Sequence, residues 1–136
     1  MKLSNRTDYA LRALIQISIS YEEKKLISAK EISEREGIPI KYLEQILLSL
    51  RMAGVIVSYQ GFNGGYSLAR PPEEITFGEV IRIIEGTLTT LDLVAEKPGK
   101  SLSDTWHFRF NSVMVRLKSA ITDILDNTTL ADIHKT

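Results

Sequence analysis

Cysteine is absent from all 136 residues of the sequence. That excludes a disulfide, a thiolate nucleophile, a cysteine zinc site and a cysteine-held iron–sulfur cluster. Histidine is scarce too. His107 and His134 are the only two, they fall in separate predicted helices, and neither belongs to a metal-binding or triad motif. The expectation is therefore no enzyme and no metal. Long apolar runs are missing as well. The most apolar N-terminal stretch, Tyr9 to Ile19, is broken by Arg12, Gln16 and Ser18, and no run approaches the roughly 20 residues that cross a bilayer. A soluble, cytoplasmic chain without signal peptide or membrane partner is expected.

Charge of one sign is also lacking, since 17 Lys/Arg balance 17 Asp/Glu. The distribution is less even than the sum. Residues 1–70 carry ten Lys/Arg against seven Asp/Glu, and residues 71–136 carry seven against ten. The first half is where an anionic partner would be met. A hydrophobic content of 43% supports a packed core, and the length suits one domain with an appended helix.

The pattern predicts a first helix from about Arg6 to Tyr21, apolar almost all round. Such a helix is buried on more than one side, here against the core and against another subunit. Leu26 to Glu36 contains a short second helix. Its Ser28, followed three residues later by Glu31, has capping-box spacing. Gly37 and Pro39 make the turn, and a third helix runs from Ile40 to Ala53, closed by Gly54. Leu43, Ile46, Leu47 and Leu50 face inward at helical spacing, while Lys41, Glu44, Gln45, Leu48, Ser49 and Met52 face out. Two short helices about a glycine turn read as a helix-turn-helix.

The period then changes to that of strands. Val55–Tyr59 and Tyr66–Ala69 flank Gln60-Gly61-Phe62-Asn63-Gly64-Gly65, a hairpin with a glycine-rich tip. Directly after a helix-turn-helix, this is a wing. Thr76 with Glu79 opens a helix from Phe77 to Glu85, stopped by Gly86, and residues 87–102 read as a loop. From about Ser103 to Asp126 apolar residues recur at Trp106, Phe110, Val113, Leu117, Ala120 and Ile124, the spacing of a coiled-coil seam. This helix is roughly 36 Å long, too long for so small a domain to cover, so the seam is assigned to a dimer interface. A short helical turn begins at Thr129.

The expected fold is mainly α (α+β): residues 1–86 form a winged helix-turn-helix, and residues 87–136 hold the loop, the long dimerisation helix and a short last helix. On the third helix, Lys41, Tyr42, Glu44 and Gln45 are placed to enter a major groove, with Ser49 beside them. Gln pairs with adenine, Glu accepts from cytosine, and Lys reaches guanine or phosphate. In the wing, Gln60, Gly61, Asn63, Gly64 and Gly65 allow close approach to phosphate or minor groove. Ser4 and Arg6 lie at the start of the first helix, where a phosphate or a plain cap both fit.

Several segments together resemble the Rrf-two family of bacterial winged helix-turn-helix regulators. They are Thr7-Asp8-Tyr9-Ala10-Leu11-Arg12-Ala13-Leu14, Lys41 to Leu47, Leu50 to Ile56, Gly61 to Leu68 and Ile75 to Ile81. The resemblance spans essentially the whole chain. It implies a homodimer on a partly palindromic double-stranded operator, usually as a repressor. Better-known members hold an iron–sulfur cluster on three cysteines after the fourth helix. Here that loop has none, which puts the chain in the cluster-less branch. Asp8, a cluster ligand in some relatives, is expected only to cap or to pair. Gln60 stands where relatives often place Arg. The signal would be a small ligand or a partner protein. The rival reading is a winged-helix adaptor without DNA binding, favoured by zero net charge, Gln60 and the exposed Leu48 and Met52.

Overall fold

The computed structural model describes residues 4–86 and 105–134; the loop expected over 87–102 lies outside them. Helix α1 (Asn5–Glu22) starts where the Ser4 hydroxyl accepts the Thr7 N–H at 3.1 Å, satisfying a backbone donor that has no partner within the helix. Ala10, Leu11, Ala13, Leu14 and Ile17 are buried. Each fully buried Leu or Ile contributes about 1.5–3 kcal/mol relative to exposure. Much of the apolar girth of α1 is covered by the chain itself. Helices α2 (Ala29–Glu36), α3 (Ile40–Met52), α4 (Phe77–Glu85) and α6 (Leu130–His134), together with strand β2 (Gly65–Leu68), all pack on it. Ile15 and Ile19 stay half-buried, while the rest of the apolar circumference is packed by the chain's own elements.

The α2 capping box forms as the Ser28/Glu31 spacing demands. Gly37 takes φ +66 and its N–H reaches Ser33 O at 2.9 Å, a left-handed cap that a side chain would strain. Buried Ile38 follows, and Pro39 starts α3 with its apolar positions Leu43, Ile46, Leu47 and Leu50 in the core. The chain then turns into β1 (Ile56–Tyr59), antiparallel to β2 in the register Ile56↔Leu68, Val57↔Ser67, Ser58↔Tyr66, Tyr59↔Gly65. An isolated bridge, Ile27↔Tyr66, ties this hairpin to the α1–α2 connection. The hairpin is therefore held near its loop end, beside the Ser58↔Tyr66 pair, by a third backbone segment.

Helix α4 begins at a Thr76 cap on the Glu79 N–H and ends before Gly86, as the sequence predicts. The long helix α5 (Thr105–Asn127) packs on α4, where Arg82 clasps Asp126 at 2.7 and 2.9 Å. After it the chain folds back: Phe77 N–H bonds Thr128 O, and Leu130 N–H bonds Ile75 O at 3.0 Å. Leu130 of α6 is fully buried in the same core as α1 and α3. The last helix, grouped from sequence with the C-terminal segment, thus packs into the helix-turn-helix core. Among the described residues, no helix is long and apolar enough to cross a membrane.

Candidate nucleic-acid interface

The outer face of α3 carries Lys41, Glu44 and Gln45, all exposed. Burial of Leu43, Ile46, Leu47 and Leu50 fixes this rotation, because side chains three and four apart share one side of a helix. Leu48 is 47% exposed and Met52 79%. Both fall on the same stripe as Gln45, Met52 open to solvent and Leu48 bordering a groove with Arg51 and Tyr66 of β2. The N-terminus of α3 is unlike those of α1, α2 and α4. Pro39 supplies no side-chain cap and the first turn carries no acidic residue, leaving N–H groups open to an anion.

Two of the residues assigned to DNA from sequence meet each other. Arg6 Nη2 donates to Ser49 Oγ at 3.1 Å, and that hydroxyl donates to Gln45 O. The pair straps the start of α1 to the flank of α3. Tyr42 is half-buried against Tyr9, ring edge to face with centroids 5.6 Å apart, and wedges the same two helices. Ser4 acts as a cap. Its hydroxyl also donates to the Glu85 carboxylate, as does that of Thr7. These bonds, Ser4's first, hold Glu85 below the ordinary carboxyl value of 4.5, and the carboxylate brings negative charge to the place where a phosphate had been expected. Asp8 pairs with Arg12 at 3.2 Å. Glu36 of α2 and then Asp8 hold the Arg12 guanidinium more firmly protonated than usual.

Sequence reasoning missed Arg51 and Phe62. Arg51 is exposed on the wing side of α3 and donates to Ser58 Oγ of β1 at 3.2 Å. With Gln60, Phe62 and Tyr66 it lines a groove of about 310 Å³ between α2, α3 and the wing. Its position seven residues before a strand serine carried no periodic signal. Phe62, at the wing tip, is fully exposed. The glycines behave as the hairpin requires. A Cβ on Gly64 would sit 2.1 Å from Tyr59 O, and one on Gly65 would meet the Ile27 backbone at 2.8 Å, so both glycines serve close backbone packing within the wing.

Along α5, the seam residues Trp106, Phe110, Val113, Leu117 and Ile124 are between 46% and 65% exposed, and Ala120 is exposed too. His107, Met114, Ile121 and Leu125, on another side of the helix, are half-buried. An iron–sulfur cluster does not fit this chain. It needs thiolates where the sequence has no cysteine. Among the described residues, no group of three or more His, Asp or Glu could hold a metal ion.

A capped helix-turn-helix with an open recognition face, a pinned two-stranded wing and a long projecting helix define a winged helix-turn-helix regulator. A family model described as Rrf2, iron-dependent transcriptional regulator, matches residues 3–136. The transcriptional regulator CymR of Bacillus subtilis is 33% identical over 134 residues, which are 98% of this chain and 89% of the relative. IscR of Cereibacter sphaeroides is 33% identical over 136 residues, covering 99% of this chain and 88% of the relative. The solved structure of CymR, described as the global cysteine regulator of B. subtilis, superposes with a TM-score of 0.81. It is 31% identical, over 99% of this chain and 97% of that one. This chain belongs to the Rrf2 family. It is a DNA-binding transcriptional regulator and not an enzyme, and the reading as an adaptor without DNA binding falls away.

Proposed function

We propose that the chain is a cytoplasmic homodimeric repressor of a partly palindromic operator, signalled by a small ligand or a partner protein rather than by a cluster. The observation that carries the dimer is the bare α5 seam: five large apolar side chains on one face of a helix that packs on α4 along a different side. Residues 1–86 provide the DNA-binding part and residues 87–136 the dimerisation part, with Leu130 of α6 anchoring the second to the first. Glu44 and Gln45 read the major groove, where Leu48 and Met52 meet thymine methyls, and Lys41 takes a phosphate at its edge. Arg51 and the open start of α3 take backbone phosphates, and the wing, from Gln60 to Gly65, follows the neighbouring minor groove. Tyr42, Arg6, Ser49 and Ser4 hold α3 in position rather than touch DNA directly.

The test is retention of fragments from a random duplex library by the purified chain at two salt concentrations. Enrichment of an inverted repeat is expected, with affinity falling by orders of magnitude as salt rises several-fold, since each neutralised phosphate adds about −0.9 to the log–log slope. Equal retention of all sequences, or binding indifferent to salt, would refute the reading.

A further inference from the structure

Phe62 is the most exposed large apolar residue among those described, its ring fully open to solvent. Its position is tightly defined. Gly64 N–H bonds Gly61 O at 3.0 Å, so Phe62 and Asn63 are the two central residues of a β-turn at the apex of the wing. Gly61 takes φ +103, and the Gly64 Cα lies so close to Tyr59 O that no side chain is tolerated there. Just behind the turn, the Tyr66 N–H donates to Ile27 O at 2.8 Å and pins the wing to the body. The wing is thus a braced arm that presents one aromatic ring at its point.

The chemistry of the tip narrows what that ring meets. From Tyr59 to Gly65 no residue is charged, so the apex cannot engage DNA through a cation, and phosphate neutralisation falls to Arg51 and Lys41 behind it. The tip offers instead two side-chain amides, Gln60 and Asn63, on either side of Phe62. Amides read the A·T acceptors of the minor groove, and Phe is among the side chains that wedge between base steps there.

We propose that Phe62 is a minor-groove wedge: it enters beside each half-site, partly unstacks one base step and bends the duplex, while Gln60 and Asn63 hydrogen-bond the flanking base edges. This rests on the DNA reading above. It implies a preference for a flexible pyrimidine–purine step, above all TA, at a position that α3 never touches.

The probe is the duplex enriched from the random library by the wild-type chain, carrying 2-aminopurine at successive positions outside the α3-read bases. Wild type is expected to raise fluorescence several-fold at one flanking step per half-site and to bend the duplex in a permuted-site mobility assay. Phe62→Ala should lose both signals and bind roughly tenfold more weakly, while enriching the same bases at the α3-read positions. Phe62→Leu should keep most of the bend, because the wedge survives without the ring. Phe62→Ala that binds and bends like wild type overturns the wedge and leaves the DNA reading standing. A wild-type chain that retains no duplex overturns both. Full circular-dichroism signal from each variant separates these outcomes from misfolding.

Discussion

Gly78, the second residue of α4, faces the end of α5 across very little space. A Cβ there would lie 2.1 Å from Asp126 Oδ1 and 3.0 Å from Arg82 Nη1, so Gly78→Ala must push the carboxylate away and open the ion pair. Both partners are more than a third exposed, at 39% and 38%, and screening by solvent limits the loss to about 0.5–1.5 kcal/mol. Against it stands the helix preference of Ala over Gly, about 0.5–1 kcal/mol and at the low end so near a helix start. The net expectation is a destabilisation between about zero and 1 kcal/mol, the small difference of two opposed effects. The sign becomes decisive in a double-mutant cycle. In an Asp126→Ala background the obstructing oxygen is gone, so Gly78→Ala should stabilise by about 0.5 kcal/mol. Urea denaturation of the four proteins measures this. The same sign in both backgrounds would show that Gly78 is not there to admit Asp126.

Three further outcomes are expected. Gln45→Ala should cost roughly 1–3 kcal/mol on the enriched duplex and relax its sequence preference, while Lys41→Ala weakens all duplexes evenly; competitive binding distinguishes them, and unchanged affinity for Gln45→Ala means the wrong face of α3. Glu85 has a folded carboxyl value below its ordinary 4.5, so the α1–α4 clasp contributes in full above that value and is lost as pH falls through the lower folded one. Glu85→Gln should flatten this acid limb in urea midpoints measured from pH 6 to about 3, and an unaltered limb would refute the clasp. Purified anaerobically, the protein should be colourless and retain its duplex equally with and without oxygen; a visible iron–sulfur absorption band would overturn this.

What the sequence made legible was local. Helix α4 has the predicted bounds because a Thr76 cap and a Gly86 stop lie in the sequence itself, and the α3 faces follow from four apolar residues at fixed spacing. The strands sit within a residue of expectation for the same reason. Contacts between distant residues were not legible. Arg6 with Ser49 and Arg82 with Asp126 are separated by more than 40 residues, and no periodicity encodes such pairs. The surroundings of α1 show the limit well: its apolar girth was plain, but only the packing of four helices and a strand reveals that the chain itself covers it. Phe62 was read as part of a loop tip, since sequence alone gives no measure of exposure. The α5 seam was legible as spacing, and its exposure is what the structure adds.

The most direct test is the number of chains on one enriched duplex, measured by sedimentation of wild type and of Leu117→Glu. Leu117 is nearly half exposed in the single chain, so the variant should fold. Wild type is expected to run as a dimer at micromolar concentration and to place two chains per duplex, with half-sites about one helical turn apart or a multiple of it. Leu117→Glu should run as a monomer and lose binding at that concentration. A wild-type chain that is monomeric at micromolar concentration yet binds the duplex tightly as a single copy would contradict the dimer and the palindromic operator together.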